Sequence, residues 1–241
     1  MENKLIIGNI KMNMEFGEID NYLNWFKNIK NENVVVCPSY IYIPYFLNYD
    51  FSVGSQNVCA NLDGGYTGEI SASQLASIGV KYTIVGHSER RISLKESNKE
   101  INDKVKCALK SDLKVILCIG ETLEELKLLK KEVVLKRQIR DALFNIDNLD
   151  NIVIAYEPVW SIGTNKIPTK EELIYTIKYI KELVKSMYNK NIKVIYGGSI
   201  NENNIVELNK IKELDGFLIG SASINPVKFI EIIEKINKDK I

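Results

Sequence analysis

The stretch Lys4-Leu5-Ile6-Ile7-Gly8-Asn9-Ile10-Lys11 contains the first strand-like run of the chain, and the residues just past that run decide the architecture. A short, near-continuous apolar run fits a parallel strand covered on both faces. Two folds share the βαβ unit that such strands build. A doubly wound open sheet with a dinucleotide site carries a glycine fingerprint directly after its first strand. Here Gly8 is followed by Asn9-Ile10-Lys11, which has none. Outward from this point, strand-like runs recur at 4–8, 33–37, 51–56, 82–85, 114–119, 152–156, 193–196 and 216–219. Helix-like segments come after each in turn, at 19–30, 43–48, 72–78, 99–110, 123–144, 171–188, 204–209 and 227–236. Thr169 with Glu171 and Glu172 reads as a helix opening, and Asn225-Pro226 as a cap followed by a first-turn proline. Eight βα units of about 30 residues each are the rhythm of an α/β chain forming a single (β/α)8 barrel over 1–241.

The composition sets limits on function. With 45% hydrophobic and 26% charged residues, the 241-residue chain can bury a sizeable core. A net charge of +1, with the two signs interspersed, leaves no basic stripe for nucleic acid. An anionic ligand must therefore be held by a local site. Met1-Glu2-Asn3-Lys4 is neither a secretory nor a transit leader, and no apolar run approaches the ~20 residues that span a membrane. Cys37, Cys59, Cys107 and Cys118 form no CxxC pair and read as free buried thiols of a reducing compartment. A cytoplasmic protein without nucleic-acid or membrane partners is the expectation.

Barrel chemistry sits at the carboxyl ends of the strands. That rim receives Asn9 and Lys11, Gln56 and Asn57, His87, Ser88 and Glu89, Gly120 and Glu121, Glu157, Ser199, and Gly220 with Ser221. The single histidine rules out an HExxH or three-histidine zinc site. No GxSxG elbow and no GxxxxGK[ST] loop occurs. Acid–base work without a metal or cofactor, or a lysine Schiff base, remains, on a small phosphorylated molecule if the phosphate habit of the last two barrel strands holds.

Glu157 ends the sixth apolar run before Pro158, where a carboxylate can take a carbon-bound proton beside a carbonyl; apolar cover should raise its pKa. His87 opens a helical turn, and a helix N-terminus should lower its pKa and keep the ring neutral. Asn9 and Lys11 share parity, so both can face inward, and an inward lysine needs an anion. Backbone N–H groups at Gly163, Ser199, Gly220 and Ser221 can converge on one phosphate.

Gly8-Asn9-Ile10-Lys11-Met12-Asn13, Gly86-His87-Ser88-Glu89-Arg90-Arg91, Ala155-Tyr156-Glu157-Pro158-Val159-Trp160 and Tyr196-Gly197-Gly198-Ser199 resemble, in order, the signatures of the triosephosphate isomerase family. Gln56-Asn57 and Asp215-Gly216-Phe217-Leu218 match as well, so the similarity spans the chain. The resemblance implies an intramolecular aldose–ketose isomerase of glycolysis and gluconeogenesis. It would interconvert dihydroxyacetone phosphate and D-glyceraldehyde 3-phosphate through an enediol(ate), with Glu157 as base, His87 as electrophile, and Lys11 and Asn9 stabilising charge. It further implies that Glu89 pairs with Lys11 and that Ile162 and Leu218 cover Glu157. Residues 158–169 would form a closing flap, with Trp160 on Glu121 and with Tyr196 and Ser199 as latch. The segment 61–70 would enter a partner subunit, putting Tyr66, Thr67 and Glu69 at a homodimer interface. Arg90, Arg91, Glu96 and Lys104 match structural positions.

Three residues depart from the family pattern: Ile10 stands in place of tryptophan, Asn165 in place of a flap glycine, and Ser221 in place of a phosphate-nest glycine. A Schiff-base aldolase using Lys11 and an inactive scaffold barrel are the rival readings.

Overall fold

The computed structural model describes residues 3–27, 33–164 and 166–238. Eight strands, β1 (Leu5–Asn9), β2 (Val34–Cys37), β3 (Ser52–Ser55), β4 (Tyr82–Val85), β5 (Lys114–Ile119), β6 (Ile152–Tyr156), β7 (Lys193–Gly197) and β8 (Gly216–Ile219), pair in chain order into a closed parallel barrel. Each lies within one or two residues of its sequence-derived run. The ring shuts where β1 meets β8, with Leu5 opposite Gly216 and Gly8 opposite Ile219. That seam needs a glycine: a Cβ at residue 216 would lie 2.1 Å from the Leu5 carbonyl oxygen.

Among the described residues the helices are α1 (Ile19–Asn24), α2 (Ile43–Phe46), α3 (Ala72–Ser77), α4 (Ser88–Ser93), α5 (Asn98–Lys110), α6 (Leu123–Lys127), α7 (Lys131–Ala142), α8 (Lys170–Tyr188), α9 (Ile205–Asn209), α10 (Ser221–Ile224) and α11 (Pro226–Lys238). Capping boxes open α3, α5, α6 and α8, the last through Thr169 and Glu172. Asn225 caps α11, its Oδ1 accepting the Val227 and Lys228 amides. Residues 28–30 of the expected first helix lie outside the described residues.

The helix expected over 123–144 is instead two. Leu129 takes a left-handed φ of 56°, and the Lys130 N–H turns back to the Glu125 carbonyl at 2.9 Å. This is a helix stop of the kind glycine ordinarily provides.

Alternation along the strands sorts the side chains into two layers. Ile7, Val35, Cys37, Tyr82, Ile84, Ile116, Cys118, Ala155, Ile195 and Leu218 fill the barrel interior. The larger cluster, including Ile6, Ile10, Tyr156, Tyr196, Phe217 and Phe229, lies between sheet and helices. Ile10 is fully buried there, so the departure at that position is absorbed by packing. All four cysteines are buried free thiols. No helix among the described residues is long and apolar enough to cross a membrane.

Candidate active site

Asn9 and Glu157 share the inward parity of the interior residues beneath them, and both are buried at the top of the barrel. His87, the residue before α4, faces Glu157 with its Nε2 3.2 Å from Oε1. His87 Nδ1 accepts the Glu89 amide at 3.3 Å. That bond puts the lone pair on Nδ1 and leaves the ring proton on Nε2, so the neutral ring presents a donor to the carboxylate. Glu157 Oε2 is buried without a hydrogen-bond partner.

The pKa shifts of this pair run opposite to both sequence expectations. Burial acts to lower the His87 imidazole, but the Glu157 charge and hydrogen bond outweigh it and raise the group. Burial likewise acts to raise Glu157, yet His87, the Cys118 thiol and the Ser88 amide together hold it below the ordinary carboxylate range. Proximity of the two groups to each other wins over burial and over the helix terminus. Cys118 sits inside the barrel, and burial first, then Glu157, pushes its thiol well up; it is an inert donor.

Lys11 corrects the parity argument. It is not on β1, which ends at Asn9, but beyond it at a left-handed φ of 57°. Such a conformation costs about 1 kcal/mol for a residue with a Cβ. It is held from three sides: the Lys11 amide donates to Asn9 Oδ1 (3.1 Å), while its carbonyl accepts from Ser39 Oγ (3.0 Å) and Gln56 Nε2 (2.8 Å). Its ammonium meets Glu89 at 2.5 Å. Asn57, the neighbour of Gln56, accepts from Lys104, which also pairs with Glu96, as does Arg90. Arg91 donates to the carbonyls of Gly86 (2.7 Å) and Cys118 (2.9 Å), tying the ends of β4 and β5 together.

One pocket gathers Asn9, Lys11, His87 and Glu157 with Ile162, Gly163, Ser199, Leu218, Gly220 and Ser221. Ser88 and Glu89 adjoin it through the contacts above. Trp160 and Tyr196 stand behind it: the Trp160 indole donates to Glu121 at 2.9 Å, and Tyr196 Oη lies 3.1 Å from Ser161 Oγ. Ser199 Oγ donates to the Ser161 carbonyl at 2.5 Å, and Ser161 Oγ to the Lys166 carbonyl at 2.6 Å. Asn165, the flap departure, lies outside the described residues. Tyr66, Thr67 and Glu69 are exposed and line a separate pocket on the loop after β3.

Three participants are not singled out as site residues by sequence reasoning. Ser161 joins the segment after β6 to β7, Gly197 leaves room for Glu157, and Tyr156 donates to Glu121 at 3.1 Å. The two small residues carry no chemical signal, and Tyr156 reads only as core. Parity could have found Tyr156, because it faces the helix layer beside Glu121.

The pocket thus offers an ionised carboxylate, a neutral imidazole donor and an ammonium around one small cleft, lined on its far side by Gly163, Ser199, Gly220 and Ser221. This set can move a carbon-bound proton beside a carbonyl while holding an anion. A family model described as Triosephosphate isomerase matches residues 4–236. The chain is 39% identical to the triosephosphate isomerase of Mycoplasmopsis pulmonis, over 97% of this chain and 98% of that protein. It is 38% identical to that of Alkaliphilus oremlandii, over 97% and 99% respectively. The solved triosephosphate isomerase of Bartonella henselae superposes with a TM-score of 0.89 at 31% identity, covering 98% of this chain and all of that one. The chain belongs to the triosephosphate isomerase family.

Proposed function

We propose that the protein interconverts dihydroxyacetone phosphate and D-glyceraldehyde 3-phosphate, with residues 1–241 acting as one catalytic domain. Glu157 takes the proton from the carbon beside the carbonyl and returns it to the neighbouring carbon. His87 donates from Nε2 to the carbonyl oxygen, and Lys11 and Asn9 stabilise the negative charge that develops on the enediol(ate). The phosphate is held by Gly163, Ser199, Gly220 and Ser221. A substrate carbonyl that captures the His87 donor frees Glu157 from the contact that lowers its pKa. Burial, which acts to raise Glu157 and lower His87, then governs both. Ile162 and Leu218 supply the apolar cover, and the flap excludes water while the intermediate exists.

The observation that carries this reading is the 3.2 Å contact between buried Glu157 and His87 at a rim shared with Lys11. Purified protein treated with a chelator should isomerise either triose phosphate in a coupled assay, and Glu157→Gln should lose several orders of magnitude in kcat. Full activity in Glu157→Gln would remove the base. Trapping of substrate on Lys11 by borohydride would favour the Schiff-base rival. The protein works in the cytoplasm as a homodimer joined through Tyr66, Thr67 and Glu69. Sedimentation as a single-chain species would overturn the dimer.

A further inference from the structure

β4 stops short of its neighbour. It ends at Val85, opposite Leu117, while the backbone of β5 runs on past Ile119 through Gly120 and Glu121. On the β6 side the pairing continues: the Glu157 amide donates to the Ile119 carbonyl at 2.7 Å, and the Val159 amide to the Glu121 carbonyl at 2.9 Å. Successive residues of a strand turn their backbone polar groups to opposite neighbours, so Cys118 and Gly120 face the side that β4 has left. Arg91 takes the Cys118 carbonyl at 2.9 Å. Gln138 takes Gly120 at both ends: its Oε1 accepts the Gly120 amide at 2.9 Å, and its Nε2 donates to the Gly120 carbonyl at 3.1 Å. One side-chain amide thus supplies the two bonds that a further strand residue would have made.

Gln138 is buried on α7 together with Val134, Leu135, Ile139 and Ala142. A polar head among such residues is costly unless its groups are paired, and Gly120 pairs them. Gly120 in turn lies against Glu157. A Cβ at residue 120 would fall 1.8 Å from the Glu157 carbonyl oxygen and 2.5 Å from its carbonyl carbon, so backbone meets backbone with no side chain between. Gln138, Gly120 and Glu157 also line one cavity of about 120 Å³, with Cys118 and Arg91, apart from the pocket that holds Asn9 and Lys11.

We propose that Gln138 is a positioning residue for Glu157: by standing in for the missing strand at Gly120, it fixes the edge on which the Glu157 backbone is registered. The proposal rests on the reading of Glu157 as the base. It concerns where the carboxylate sits and not the proton that it moves.

His87 is the one histidine of the chain, so isotope-labelled histidine gives a single imidazole signal whose titration reports on Glu157. The groups facing that ring are Glu157 from β6, Glu89 from α4 and Lys11 after β1; Glu157 raises the imidazole most, against burial. Gln138→Met keeps the length and bulk of the side chain but removes the amide. The Gly120 edge should then shift and draw Glu157 from its 3.2 Å contact with His87. The imidazole midpoint should fall by about half a unit or more, and kcat about tenfold or more with KM changed far less. Gln138→Asn, one methylene shorter, serves if the methionine variant does not fold. It must drag Gly120 toward α7 or release it, and its midpoint should fall as well. Ile139→Val, which trims the core on the same helix and leaves the amide in place, should lower Tm without moving the midpoint. An unmoved midpoint in a folded Gln138 variant overturns the proposal, as does an equal shift in Ile139→Val. Absence of isomerase activity in the parent protein would instead overturn the functional reading, since the imidazole titration is read without turnover.

Discussion

Replacing Gly197 with alanine tests how finely the base is placed. Gly197 ends β7 without a left-handed φ, so the backbone accepts alanine. The added Cβ would lie 2.9 Å from Glu157 Cγ, 3.3 Å from Oε1 and 3.4 Å from Leu218 Cβ. Carbon atoms rest at about 3.5–4.0 Å, so the Glu157 side chain must retreat by roughly 0.6–1 Å. That motion draws Oε1 away from its 3.2 Å contact with His87 and from the line to a substrate carbon. A misplacement of about 1 Å costs on the order of a hundredfold in rate, or about 2.7 kcal/mol of activation free energy. Overpacking should cost about 1–3 kcal/mol of stability as well. The assay is coupled isomerase kinetics in both directions, beside urea unfolding of the same sample. The expected outcome is a kcat lowered about a hundredfold with KM changed far less, since the alanine adjoins the proposed base and not the residues proposed to hold the phosphate. A folded Gly197→Ala variant with kcat within roughly threefold of the parent would refute the claim that Glu157 is held in place by the missing side chain.

Two further outcomes are expected of the same molecule. Glu157 is held low and His87 high by one shared contact. The lowered carboxyl contributes stability above its unfolded value, lost as pH falls through its folded value. The raised imidazole contributes below its unfolded value, lost as pH rises through its folded one. The stability of the parent relative to Glu157→Gln, followed by urea titration, should therefore peak between roughly pH 4.3 and 6.5 and decline on both sides; parallel curves would deny the coupling. Leu129 is almost wholly exposed at its left-handed φ, so Leu129→Gly should stabilise the protein by about 1 kcal/mol, read as a raised Tm. A fall in Tm would mean that the leucine has a packing role.

The barrel is legible in the sequence because its strands are buried on both faces and so stand out as apolar runs, each followed by an amphipathic segment. The break between α6 and α7 is not, because Leu128-Leu129-Lys130 contains no glycine, asparagine or proline to mark a stop. Parity brings Lys11 to the rim correctly but for the wrong local reason. Parity applies to a strand, and the chain turns left-handed two residues after β1 under the hold of Ser39 and Gln56, contacts that only the closed ring creates. The charged members of the pocket can be found because acids, bases and ammonium groups announce their chemistry. Ser161 and Gly197 act by size and position, which a single sequence does not display. The pKa directions escape sequence reasoning for a related reason: burial can be inferred from a hydrophobic pattern, but the 3.2 Å approach of two distant residues cannot.

The glycine that lets β1 lie against β8 has a meaning for the chain as it leaves the ribosome. Asn9 is made early, while Ser199, Gly220 and Ser221 are made late, on the strands and turns beside the joint. On the roles proposed above, a nascent chain would hold His87 and Glu157 well before Ser199, Gly220 and Ser221, and would stay silent until β8 docks against β1.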